Sequence, residues 1–112
     1  MMSAQGKKVW MDGDLVDFAD ARVHVLGHTL HYGVGVFEGI RAYPTLDGAA
    51  VFRLPEHIRR LQASARVYRM PIPWSDEEIA RAVVETTRAM DRIGEYSTTP
   101  LSSSLVKSLG AR

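Results

Sequence analysis

The segment from His28 to Tyr43, HTLHYGVGVFEGIRAY, concentrates the residue types of this 112-residue chain that could do chemistry. Read as a strand entered through a tight turn, it has a side-chain period of two. Phe37, Gly39 and Arg41 then share one face. That face offers an apolar wall beside a guanidinium that could bind a carboxylate. Arg41 could instead form a structural ion pair with Glu38 or Glu56. Tyr32 and Phe37 flank Gly33 and Gly35, where backbone can approach a ligand closely. From the residues alone, the two rings read more readily as core aromatics.

A second candidate lies in EHIRRL, Glu56 to Leu61. Ile58, Leu61, Ala65 and Tyr68 recur at helical spacing, and Arg60 sits nearer that apolar stripe than Arg59. A partly buried arginine requires an anion. A phosphate or carboxylate clamp would use it in this way; a solvated helix face is the alternative.

Two other chemistries are set aside. His24, His28 and His31 are spaced four and three apart, which on a helix would suggest a metal site. The segment reads instead as strand and loop, and no cysteine or well-placed carboxylate completes a ligand set. No metal is expected, and these histidines are read as hydrogen-bonding residues that hold a loop. Gly33-Val34-Gly35 could pass for a nucleotide loop. The dinucleotide fingerprint needs a third glycine at position 38, which is Glu38, and it follows a strand rather than preceding one.

The elements that position these residues can be read from local pattern. Asp12-Gly13 between Val9-Trp10-Met11 and Leu15-Val16 suits a type I′ hairpin turn. Arg22 to Leu26 alternates as a short half-buried strand. Val36 to Tyr43 forms the next strand, with Gly39 inside it. Pro44 to Gly48 turns, and Ala50 to Leu54 returns as its partner. Pro55 then suits the first turn of a helix, which Pro71 and Pro73 end. Ser75 and Glu78 form a capping box. Ile79, Ala82, Val83, Thr86 and Met90 make the inner face of a second helix. This order gives an α+β fold, an antiparallel sheet with two helices on one face. Residues 1–94 form that domain, and 95–112 a Ser/Thr-rich tail.

Composition bounds the function. Apolar residues make up 46% and charged residues 24%, as in a globular domain. A net charge of +1 gives no electrostatic reason for nucleic acid or anionic membrane as a partner. No apolar run is long enough to span a bilayer. The absence of cysteine excludes disulfides and thiolate chemistry and is compatible with the cytoplasm.

From Val9 to Met90 the chain resembles the N-terminal domain of the branched-chain amino acid aminotransferases. These are pyridoxal-phosphate enzymes of fold type IV. The resemblance rests on VWMDGDLV, ARVHVLGHTLHYG, VFEGIRAY, VFRLPEHIRRL and SARVYRMP. It implies that Arg60 binds the phosphate of pyridoxal 5′-phosphate and that Phe37 lines the pocket for a branched side chain. Tyr32 would complete the active site, in family dimers from across the subunit boundary, and Arg41 would lie near the substrate. The implied partners are an amino acid and a 2-oxo acid, in a homo-oligomer of the complete enzyme. The family's Schiff-base lysine lies in a later domain. Lys7, Lys8 and Lys107 match no such context, so no catalytic residue is assigned. The family's Y-I-R-P-L strand is replaced by Tyr96-Ser97-Thr98-Thr99-Pro100-Leu101. A truncated or frame-shifted gene product, inactive alone, is therefore expected. The alternatives are a stand-alone module that pairs with a separate catalytic domain, or another class IV enzyme such as a D-amino acid transaminase or aminodeoxychorismate lyase. The intact HYGVGVFEGIR argues against the last.

Overall fold

Asp12 and Gly13 both take positive φ, 51° and 102°, as a type I′ turn requires. They join β1 (Lys8–Met11) to β2 (Asp14–Asp17) in an antiparallel hairpin that pairs Trp10 with Leu15. The computed structural model describes residues 7–92. The tail assigned to 95–112, the domain boundary at 94 and Lys107 lie outside the described residues.

The strand expected over Arg22 to Leu26 is absent. Val23 and Val25 are both exposed rather than turned to a core, and no neighbouring strand offers a ladder. His24 instead closes a turn: its Nδ1 accepts from the Leu26 N–H at 3.0 Å and its carbonyl from the Gly27 N–H at 2.9 Å. A single helical turn, α1 (His28–Tyr32), follows where a loop was expected. Gly33 ends it at φ 64°, a left-handed conformation that glycine adopts without a Cβ clash.

Residues 34–41 run extended without a ladder. The expected strand forms only at its end, as β3 (Ala42–Thr45), which pairs with β4 (Gly48–Val51). The turn narrows to Leu46-Asp47, and Pro44 is accommodated within a strand because a two-stranded ladder has free edges. The class is α+β, with the strands divided between two separate two-stranded sheets.

Two helices complete the fold. α2 (Leu54–Val67) starts with Pro55 in its first turn and buries Ile58, Leu61 and Ala65. It stops before the prolines. The Met70 N–H reaches the Ala65 carbonyl and the Arg69 N–H the Arg66 carbonyl, with Arg69 at φ 53°. This is a Schellman termination with arginine where glycine is usual. α3 (Asp76–Arg92) begins at the expected capping box. The Ser75 N–H donates to Glu78 at 2.7 Å, and the Glu78 N–H to Ser75 Oγ at 3.2 Å. All five residues of its expected inner face are buried.

α3 packs against β1, β4 and α2, so it ties both hairpins to the other helix. The core gathers Val36 and Ile40 from the extended segment with Ile58, Leu61, Ile79 and Val83. Trp10 and Trp74 close one end edge to face, 5.0 Å between ring centres. Among the described residues no helix is long and apolar enough to cross a membrane.

Candidate functional site

The extended segment before β3 keeps a strict alternation. Val36, Glu38, Ile40 and Ala42 are buried, while Phe37, Gly39 and Arg41 face outward. The shared face of Phe37, Gly39 and Arg41 is thus present, and it is open to solvent. Phe37 is 73% exposed, so it is not a core aromatic of the described region. Arg41 forms no ion pair among the described residues. Both carboxylates considered for it are engaged elsewhere: Glu56 lies near Arg53 and Arg59, and Glu38 meets α2.

Glu38 is the centre of the site. Its side chain is 4% exposed and sits in the apolar row with Val36 and Ile40. A carboxylate there is tolerated only when paired and hydrogen-bonded. α2 supplies both partners from residues one turn apart, which share a helix face. Arg60 Nε donates to Oε1 at 2.7 Å and Nη2 to Oε2 at 2.8 Å. His57 Nδ1 lies 2.8 Å from Oε2. A carboxylate only accepts, so His57 carries its proton on Nδ1.

The electrostatics follow from these contacts. The hydrogen bond from Arg60 is the largest influence on Glu38 and holds its carboxyl below the usual glutamate range. Burial pushes the other way, and His57 adds to the lowering. In return, the Glu38 hydrogen bond raises the already high pKa of Arg60.

Arg60 departs from its expected burial. Its side chain is 68% exposed. The long stem carries the guanidinium up the helix flank, and one edge reaches down to Glu38. A guanidinium has five N–H donors, of which the carboxylate takes two. Nη1 and the second proton of Nη2 form a fork with no part in the pair, and it matches two oxygens of a phosphate or carboxylate. The anion that the helix pattern called for is thus first of all Glu38, and the exposed fork is suited to a second one.

Tyr32, at the end of α1, is 74% exposed. Its ring stands edge-on to His28 at 5.8 Å and tilted to His31 at 6.1 Å. These histidines make aromatic contacts, and among the described residues no group of three His, Cys, Asp or Glu could hold a metal ion. Gly35 packs against Thr29, where an added Cβ would come within 3.3 Å of Oγ1. Thr29 Oγ1 also donates to the Val34 carbonyl at 2.7 Å, which fixes the passage from α1 into the extended segment. A cleft of about 490 Å³ lies elsewhere, between His28, Val34, Val36 and the turn from Tyr68 to Trp74. It includes none of Tyr32, Phe37, Arg41 or Arg60.

Glu38 and His57 are the site residues that sequence reasoning missed. The signal for Glu38 was present: the alternation that groups Phe37 with Arg41 puts Glu38 in the apolar row. His57, three positions before Arg60, could then have been named as its second partner.

Comparison with known proteins gives the family of the chain. Residues 35–93 match the family model of amino-transferase class IV. The branched-chain-amino-acid aminotransferase of Pseudomonas aeruginosa is 55% identical over 84 residues, which cover 75% of this chain and 26% of that protein. The Escherichia coli K12 enzyme of the same name is 41% identical over 96 residues, covering 86% of this chain and 31% of that one. The chain therefore spans less than a third of the length of these curated relatives. Among solved structures, the T.th. branched-chain amino acid aminotransferase complexed with N-(5′-phosphopyridoxyl)-L-glutamate superposes with a TM-score of 0.74 at 45% identity. The match covers 85% of this chain and 31% of that one. The branched-chain aminotransferase from Thermoproteus uzoniensis with norvaline gives 0.73 at 48% identity, covering 81% and 30%.

Proposed function

The chain belongs to the class IV aminotransferases, and we propose that it is the small N-terminal part of a branched-chain amino acid transaminase. The complete enzyme would move an amino group between leucine, isoleucine or valine and 2-oxoglutarate. It would act as a cytoplasmic homo-oligomer. The observation that carries the reading is the exposed guanidinium fork of Arg60, fixed on one edge by buried Glu38.

The donor set suits the phosphate of pyridoxal 5′-phosphate. Arg60 would hold phosphate oxygens through Nη1 and Nη2. Bound there, the cofactor would supply the electron sink for amino transfer, and the protein binding and orientation. Phe37 presents an apolar wall to a branched side chain. Each methylene buried against such a wall contributes about 0.8 kcal/mol, so leucine would exceed alanine by roughly 2 kcal/mol, a few tens of fold. Arg41 would meet the substrate carboxylate, and Tyr32 would close the site. Lys8 is paired with Asp17 on the first hairpin, far in sequence from these groups, and is not proposed to carry the cofactor. The 112-residue chain alone is expected to give no turnover.

A chimaera tests this reading. The present chain would replace the matching segment of the Pseudomonas aeruginosa relative. Transamination of leucine, isoleucine and valine with 2-oxoglutarate is the expected result, lost on Arg60→Ala. A folded chimaera without that activity, or one active on D-amino acids instead, would overturn the proposal.

A further inference from the structure

We infer that Glu38 is the positioning residue of the anion site at Arg60, with His57 bracing it from the same helix face. The inference rests on the reading of Arg60 as a phosphate-binding residue and gives Glu38 and His57 a role in orienting it.

A long side chain on an exposed helix flank samples many rotamers, and holding one of them costs conformational entropy. Arg60 is 68% exposed, so packing alone does not hold it. The two-point contact of Nε and Nη2 with Glu38 fixes the plane and direction of the guanidinium. The carboxylate is itself fixed, buried in the row of Val36 and Ile40 and gripped on Oε2 by His57. The fork formed by Nη1 and Nη2 is thereby aimed before any anion arrives. An oriented donor loses less freedom on binding than a mobile one.

Charge and geometry make opposite predictions here, which separates the two effects. Glu38 offsets the charge of Arg60. If it acted only through charge, its removal would tighten phosphate binding. If it positions the guanidinium, its removal weakens binding although the site becomes more positive.

The experiment uses the full 112-residue chain labelled with ¹⁵N-arginine. The Arg60 Nε–H resonance is assigned by its loss in Arg60→Lys. It is then followed during titration with inorganic phosphate, and with pyridoxamine 5′-phosphate, which has no aldehyde to react with lysines. In the unaltered chain the resonance should move with added anion. In Glu38→Gln the midpoint should rise roughly 3- to 10-fold, the scale of one hydrogen bond's worth of orientation. If Glu38→Gln does not fold, Glu38→Asp replaces it. That variant keeps the charge and withdraws the carboxylate by one methylene, so weaker binding supports positioning and unchanged binding overturns it. An unchanged or lowered midpoint in Glu38→Gln would overturn the inference and leave Arg60's phosphate role intact. No response of Arg60 in the unaltered chain would overturn that role and the inference with it.

Discussion

At the scale of the residue, Glu38 links the stability of the fold to the geometry of the site. It is 5% exposed, and its two oxygens take three hydrogen bonds from two residues of α2. Glu38→Gln would leave an amide N–H₂ facing donors. With the Arg60 end of the pair in solvent, the expected loss at neutral pH is about 1–2 kcal/mol, below that of a fully buried pair. The pH dependence has a definite sign. The folded-state pKa of Glu38 is lowered, chiefly by the Arg60 hydrogen bond. Its contribution is therefore complete above the ordinary glutamate value and lost as pH falls through the lowered one. Urea unfolding of the chain and of Glu38→Gln should show a gap that is constant near neutrality and narrows in acid. A gap that widens in acid would contradict this assignment. How far such a residue can be read from sequence is instructive. The alternation of residues 36–42 places Glu38 inside and so demands a cation. Its source, 22 positions away, is fixed by how α2 lies across the segment, which is a tertiary fact. Arg41 is the nearer cation in sequence, yet the same alternation turns it outward.

At the scale of the element, what is local was legible and what needs a distant partner was not. The Asp12-Gly13 turn and the Ser75–Glu78 box are satisfied within four residues, so their chemistry suffices to name them. The strand expected at Arg22 to Leu26 has the right alternation but no ladder to join, and its valines stay exposed. Residues 36–41 keep the face pattern of a strand without a ladder, the Arg41 carbonyl alone accepting a bond from the far end of the neighbouring strand, the Phe52 N–H at 2.9 Å, so the grouping of Phe37 with Arg41 survives although the strand does not. α2 ends at Val67, short of the prolines expected to stop it, for another reason. Prolines prevent a helix from continuing, but the Schellman bonds to Ala65 and Arg66 stop it sooner. Arg69 holds φ 53° there at a steric cost that glycine would not incur. Arg69→Gly is accordingly expected to stabilise the chain by about 0.5–1 kcal/mol, after the greater freedom of glycine in the unfolded state is counted. A shift of the urea midpoint to higher concentration at unchanged slope would bear this out. Destabilisation would mean that the Arg69 side chain contributes more than its backbone costs.

At the scale of the whole molecule, the balance of buried and exposed apolar groups is unusual. Among the described residues the largest fully buried side chains are Ile40, Leu61 and Ile79, all in one core. Outside it, Val23, Val25, Leu26, Leu30, Tyr32 and Phe37 are all exposed, and they crowd into fifteen residues around α1 and the candidate substrate face. Scattered exposed hydrophobics need no explanation, but a run of this density marks a surface that meets something apolar. The proposed function accounts for it, because the same segment would face substrate and the remainder of a larger enzyme. In isolation, such a surface favours association of one copy with another. The 112-residue chain is therefore expected to show concentration-dependent association in sedimentation velocity. The double substitution Leu30→Ser with Phe37→Ser should shift it toward monomer. Both side chains are solvent-exposed, so the far-ultraviolet dichroism and unfolding midpoint should change little. A chain that stays monomeric at high concentration would show that this surface does not drive self-association. The reading of this run as a surface that meets an apolar partner would then have to be withdrawn, whereas the exposure of Phe37 and Arg41 would stand on its own.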